Sequence, residues 1–240
     1  MTIYKAPYII VALDFSDEKQ AITLVNQLDP QHCRLKVGNE MFTRLGPVWV
    51  EQLIQRGFNV FLDLKFHDIP NTVAQACSSA AALGVWMVNL HLSGGRRMVE
   101  AARNALDKTT SGKQRPLLIG VTVLTSMLEE DLQEIGLSSS TTEQVQRLTR
   151  IGMQAGLDGV VCSGQEAALL KAEYGQEICL VVPGIRMPTS QPDDQRRTMT
   201  PSEAKKAGAD YLVIGRPITQ ALEPIKIIHS IEIDISTKDM

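Results

Sequence analysis

The sequence predicts an α/β protein folded as a single-domain (β/α)8 TIM barrel, one catalytic domain over residues 1–240. Three observations carry that expectation. Short β-branched apolar runs recur along the chain with helical stretches between them. The runs are near-continuous rather than alternating, as parallel strands buried on both faces require. No linker or composition break interrupts the pattern, whose eight strand–helix units in 240 residues match the size of such a barrel. An open doubly wound sheet is the alternative. However, Leu13-Asp14-Phe15-Ser16, at the end of the first strand, has none of the glycines of a dinucleotide fingerprint.

In chain order, the apolar run at 8–15 predicts the first strand, and Ser16 can cap a helix over 17–28 whose first turn holds Asp17 and Glu18. A strand at 34–38 leads to a helix over 40–56, and one at 59–66 to a helix over 71–83. Gly57 and Gly84 stop these two helices. The strand at 85–92 precedes a helix at 97–107. The strand at 116–124 precedes one at 142–155, stopped by Gly156. The strand at 159–163 is followed by a helix at 165–173, then a strand at 178–185. Thr200-Pro201-Ser202-Glu203 reads as a capping box with proline at the first helical position, opening a helix over 201–207 that Gly208 stops. The strand at 211–215 feeds the closing helix at 218–228, and the polar tail 232–240 is expected to fray.

Composition excludes several classes. Lys plus Arg (24) nearly balance Asp plus Glu (27), which rules out a broad basic field for nucleic acid or anionic lipid. Cys33, Cys77, Cys162 and Cys179 form no C-x-x-C pair and no metal-ligand spacing, so buried thiols in a reducing cytoplasm are expected. No apolar run approaches the ~18 residues of a membrane span. The run at 8–13 stops at Asp14 without a small-residue cleavage site, so no signal peptide is expected.

In such a barrel the chemistry sits at the carboxyl ends of the strands, where charges in apolar runs mark a site. Asp14 ends the first strand, Lys36 the second, Asp63 and Lys65 the third, His91 the fourth. Asp63 and Lys65 are two apart and share a strand face, with Lys36 expected alongside. Asp68 follows in the loop, completing D-x-K-x-x-D. Unit charges about 4 Å apart interact by roughly 4 kcal/mol at an effective dielectric near 20, so such an array stays ionised only if signs alternate in space. A buried ion-pair cluster is the plain alternative.

Two later segments have the character of a phosphate site, which in barrels uses the loops after strands seven and eight. Pro183-Gly184-Ile185-Arg186 ends the seventh strand, and Gly215-Arg216-Pro217 joins the eighth to a helix. Gly215 admits close backbone approach, a helix start favours an anion, and Arg216 can grip phosphate oxygens bidentately. A tight turn with a solvated arginine is the alternative. The polar stretch 187–199 suggests a lid or a plain surface loop. Its Gln195 is expected to reach inward, since an amide can pair with an amide-bearing ring. Weaker candidates are Thr125 and Ser126 at the end of the fifth strand, His67 in the loop after the third, and an anion-cradling or merely structural turn at His91–Arg97. His32 and His229 show no pattern.

Together with V-A-L-D near the start, D-L-K-F-H-D-I-P-N-T, L-K-V-G, V-L-T-S, P-G-I-R, D-D-Q-R-R and V-I-G-R-P-I resemble the orotidine 5′-monophosphate decarboxylases of bacterial type. The resemblance runs from Asp14 to Ile218 and implies decarboxylation of orotidine 5′-monophosphate to uridine 5′-monophosphate in de novo pyrimidine biosynthesis. It implies no cofactor and no metal. Asp14 and Lys36 would bind the ribose hydroxyls, and Lys36, Asp63, Lys65 and Asp68 would form the catalytic array. Asp68, Ile69 and Thr72 would reach into the other site of a homodimer. Thr125 would lie beside the pyrimidine, and Arg186, Gln195, Gly215 and Arg216 would hold the phosphate, Gln195 bridging to the base. Magnesium-dependent sugar-phosphate relatives share D-x-K-x-x-D. They are expected to carry a carboxylate where Lys36 stands, because the metal needs oxygen ligands.

Overall fold

The computed structural model describes residues 7–111, 114–186 and 198–236. Its strands are β1 (Ile9–Leu13), β2 (Arg34–Gly38), β3 (Val60–Phe66), β4 (Met87–His91), β5 (Leu117–Val121), β6 (Gly159–Val161), β7 (Cys179–Val182) and β8 (Tyr211–Ile214). Each pairs in parallel with the next, and β8 pairs back onto β1, so the sheet closes into the expected barrel. Between them lie α1 (Glu18–Val25), α2 (Asn39–Gln55), α3 (Pro70–Ala82), α4 (Arg96–Thr109), α5 (Glu129–Glu134), α6 (Thr141–Gln154), α7 (Gly164–Tyr174) and α8 (Pro201–Lys206). After β8 come α9 (Arg216–Thr219) and α10 (Pro224–Ser236).

The alternation of side chains along each strand builds two cores. Val11, Leu35, Leu62, Val88, Leu118, Leu180 and Leu212 point outward into the layer between sheet and helices. Ile10, Phe61, Met87, Ile119, Cys179 and Tyr211 fill the barrel interior, so it is packed rather than hollow. At the amino end the Arg34 guanidinium lies 4.0 Å from the Trp86 ring centroid and 5.4 Å from that of Tyr211. The Arg34 Nε–H also donates to the Pro7 carbonyl at 3.1 Å. Arginine stacked on aromatic rings keeps its charge attracted while it plugs that opening. All four cysteines are buried and none forms a disulfide; burial pushes the Cys33 and Cys77 thiols up to about 12, consistent with inert packing residues.

Local chemistry corrects several boundaries. The strands stop earlier than the apolar runs, so Asp14 lies one residue beyond β1, and Thr125 lies in the turn after β5. Asp17, not Ser16, caps α1: its side chain accepts from the Lys19 N–H at 2.9 Å. Gly46 (φ 65°) and Pro47, which has no N–H, break the expected continuous helix within α2. The six-residue α5 falls in a stretch expected to be loop. The closing helix is two: α9 has four residues, and α10 continues through Ser236 because Ile231 and Ile235 are buried, so the tail is helical further than its polarity suggested. The capping box at Thr200 and the left-handed glycines 57, 84, 156 and 208 are as expected.

Candidate active site

At the carboxyl end of the barrel, the expected charges meet. The Lys36 ammonium lies 3.0 Å from Asp14 Oδ1 and 3.3 Å from Asp63 Oδ2, while Lys65 Nζ donates to Asp63 Oδ1 at 2.7 Å. The order in space is Asp14, Lys36, Asp63, Lys65, so the signs alternate as full ionisation requires. The middle of the row is the most buried: the side chains of Lys36 and Asp63 are 10% and 11% exposed, against 60% for Asp14 and 31% for Lys65. Burial alone would pull the Lys36 ammonium down, but Asp63 and Asp14 outweigh it and hold its pKa above the ordinary value. Burial likewise opposes charge on Asp63, yet Lys36, Lys65 and hydrogen bonds from Lys65 and Asn89 keep its pKa below the usual carboxylate range.

Lys65 reaches this position through an irregular backbone. It is the one non-glycine residue at positive φ among the described residues, at +50°, where β3 shifts register against β4 between Leu62 and Phe66. Bulges of this kind re-aim side chains next to active sites, and strain at φ > 0 marks functional positions. The shared face expected of Asp63 and Lys65 is thus real in outcome, but produced by a bulge rather than by regular strand alternation.

The array borders a cavity of about 780 Å³ lined also by Thr125, Ser126, Gly184, Arg186, Gly215 and Arg216, with Val161, Val181 and Val213 among its apolar lining. One pocket therefore joins the charged end of strands one to three to the predicted phosphate end of strands seven and eight. The helix start expected to favour an anion is weaker than anticipated, since α9 is only four residues long. Arg186, Arg216 and the backbone of Gly184 and Gly215 line this end of the cavity instead. Gly184 adopts φ 77°, a turn that a side chain would strain.

Residues 7–231 match the family model described as Orotidine 5′-phosphate decarboxylase / HUMPS family. The chain belongs to this family. A protein named orotidine 5′-phosphate decarboxylase from Tolumonas auensis is 57% identical over 231 residues, covering 96% of this chain and 99% of that one. One so named from Chromobacterium violaceum is 59% identical over 228 residues, 95% of this chain and 91% of that one. Among solved structures, orotidine 5′-phosphate decarboxylase from Lactobacillus acidophilus superposes with a TM-score of 0.85 at 36% identity, covering 95% of this chain and 98% of that one.

Not every residue expected in an orotidine 5′-phosphate decarboxylase / HUMPS family site lies in the cavity. Asp68, Ile69 and Thr72 are exposed on the loop and first turn after β3, outside the cavity lining. The Asp68 carboxylate accepts from the Ile69 N–H at 2.6 Å, and Ile69 is 67% exposed. Gln195 and the rest of 187–197 lie outside the described residues. His67 is exposed, its ring 5.5 Å from that of His91. Burial, then His67 and Lys65, lower the His91 pKa, which keeps that ring neutral near pH 7. The segment after β4 is a 3-10 turn, Leu92–Gly94, with Gly95 at φ 82° opening α4; it lines no part of the cavity, which favours the structural reading of that turn.

Two groupings escaped the sequence. Asn89, wholly buried on β4, bonds both Asp63 and Lys65. Its signal was available: a lone amide in an apolar strand, at the inward parity of Met87 and His91. His32, His229 and Glu232 also come together as a possible metal-ligand set. His32 Nδ1 lies 3.1 Å from Glu232, both side chains are 37% exposed, and this pairing ties α10 to the segment before β2.

Proposed function

We propose that the protein decarboxylates orotidine 5′-monophosphate to uridine 5′-monophosphate without a cofactor, as an enzyme of de novo pyrimidine biosynthesis in the cytoplasm. Lys65 acts as proton donor. The observation that carries this reading is the alternating Asp14–Lys36–Asp63–Lys65 row beside a cavity that ends in two arginines. Asp14 and Lys36 take the ribose hydroxyls, Thr125 borders the pyrimidine, and Arg186, Gly215 and Arg216 hold the phosphate, with Gln195 bridging phosphate and base. The whole chain, 1–240, serves as one catalytic domain.

The chemistry follows from the substrate. When the bond between the ring carbon and its carboxylate breaks, carbon dioxide leaves and the electron pair stays in the ring plane, where no carbonyl can delocalise it. Stabilisation must therefore be electrostatic. The Lys65 ammonium attracts the developing carbanion and then delivers a proton to the same carbon. Its partly exposed side chain lets water restore the proton. Asp63 holds that ammonium in place, and it faces the substrate carboxylate with like charge. Binding energy from the remote phosphate fixes the ring against this row.

The sugar-phosphate alternative requires a divalent cation among carboxylates. Here the Lys36 ammonium lies within 3.3 Å of both Asp14 and Asp63, in the space such an ion would need. An ultraviolet assay of the purified protein with orotidine 5′-monophosphate after EDTA treatment tests the proposal. Undiminished turnover is expected; turnover that vanishes with chelation and returns with magnesium would favour the sugar-phosphate reading.

The working unit is proposed to be a homodimer with shared sites. Ile69 exposes a large apolar side chain beside Asp68, on the loop nearest Lys65 in sequence, and neither residue lines its own cavity. A two-fold interface there would bury Ile69 and deliver Asp68 and Thr72 reciprocally to the partner's site.

A further inference from the structure

We propose that Asn89 is a positioning residue whose single carboxamide aims both Asp63 and Lys65. The inference rests on the reading of Lys65 as proton donor. The Asn89 Nδ2–H donates to Asp63 Oδ1 at 2.7 Å, and Asn89 Oδ1 accepts from the Lys65 backbone N–H at 2.8 Å. One rigid planar group thus fixes the carboxylate that grips the Lys65 ammonium and the backbone from which that side chain departs. The second bond falls where β3 needs it. Between Leu62 and Phe66 the ladder to β4 shifts, and Lys65 holds φ +50°. A backbone N–H released by a bulge must find another partner when water is excluded. Asn89, with 0% exposure on the neighbouring strand, supplies it.

The residue type follows from the same geometry. Leucine would leave the Lys65 N–H and one Asp63 oxygen each short of a partner. An ionised aspartate would accept from Lys65 but set a second carboxylate against Asp63. Only an uncharged group with a donor at one end and an acceptor at the other serves both. A neutral carboxyl has that pattern too, its O–H taking the place of the amide N–H.

That equivalence gives the test. Asn89→Leu is expected to lower kcat about tenfold to a hundredfold, the span set by hydrogen bonds to charged groups, while KM and uridine 5′-monophosphate affinity stay within about threefold because phosphate and ribose contacts persist. Asn89→Asp is expected to be impaired at neutral pH and to recover relative to wild type as pH falls and the introduced carboxyl takes up a proton. The charged and titratable groups around it are Asp63 and Lys65 on β3, Lys36 on β2, His91 along β4 and His67 beyond β3; β5 sets only Ile119 and Val121 across the register. Taking the variant-to-wild-type ratio at each pH cancels titrations common to both proteins.

Thermal melting and titration with uridine 5′-monophosphate establish that each variant is folded. Wild-type kcat in Asn89→Leu overturns the proposal. So does an Asn89→Asp defect that is absent or the same at every pH, because a packing defect has no reason to be cured by a proton. If Asn89→Leu does not fold, the acid recovery of Asn89→Asp decides alone. Turnover surviving in Lys65→Ala would overturn the underlying proton-donor reading instead, so the two failures are separable.

Discussion

Asp63 Oδ1 accepts the Lys65 ammonium at 2.7 Å from a point two residues earlier on the same strand, so the proposed proton donor is held by a charge that is itself almost buried. Lys36 presses on the other oxygen at 3.3 Å. Asp63 therefore has little freedom to turn away, and it transmits that rigidity to Lys65.

Replacing Lys65 by alanine should abolish measurable decarboxylation while leaving uridine 5′-monophosphate binding intact. The absorbance change of orotidine 5′-monophosphate reads the first and calorimetric titration the second. Turnover above about a hundredth of wild type would contradict a proton-donor role, since general acid catalysis contributes about 10²–10⁴-fold.

Arg216→Ala should weaken the nucleotide far more than the phosphate-free nucleoside. Loss of a charge-assisted bond to phosphate corresponds to about 1.5–3 kcal/mol, roughly tenfold to a hundredfold in affinity. Equal losses for both ligands would make Arg216 a structural residue.

The pH dependence follows from the shifts in the charged row. The Asp63 pKa is depressed on folding, so its contribution to stability is complete above the unfolded carboxylate value, near about 3.9, and is lost as pH falls through the lower folded value. The Lys36 pKa is raised, so its contribution is complete below about 10.4 and is lost as pH rises through the higher folded value. His91, held neutral, adds no charge change at pH 7. Chemical denaturation across a pH series should therefore find the contribution of this row level through neutrality, most simply as the difference from a Lys36→Met, Asp63→Leu double variant. A kcat step centred near about pH 6.5 would put a histidine into the chemistry.

Subunit mixing tests the shared site. Inactive Lys65→Ala and inactive Asp68→Ala chains, refolded together in equal amounts, should regain about a quarter of wild-type activity, because about half the dimers are mixed and each has one site with neither defect. If tagging confirms exchange and the mixture stays inactive, Asp68 acts within its own chain.

At the amino end, Asp210 Oδ2 accepts from Lys171 Nζ and from the Leu180 N–H, each at 2.8 Å, with side chains 9% and 15% exposed for Asp210 and Lys171. Removing one partner of such a buried pair costs about 3–5 kcal/mol. Asp210→Ala should lower the urea midpoint accordingly, while kcat below the melting range stays unchanged.

The barrel was legible because its strands are apolar on both sides and Gly57, Gly84, Gly156 and Gly208 punctuate its helices. The charged row was legible for the opposite reason: Asp14, Lys36, Asp63 and Lys65 interrupt apolar runs at their carboxyl ends. What escaped depends on non-local geometry. The helix α5 buries only Leu132, too little to create a pattern. The register shift that gives Lys65 its left-handed backbone leaves no mark on Asp-Leu-Lys, and Asn89 gains its meaning only once β4 lies beside β3.

The Arg34–Trp86–Tyr211 stack has a consequence for traffic. With that end covered and the interior packed, the cavity at the carboxyl end is the place where, among the described residues, substrate would enter and product nucleotide leave. Uridine 5′-monophosphate must vacate before the next molecule can be admitted, so it should inhibit in direct competition with the substrate.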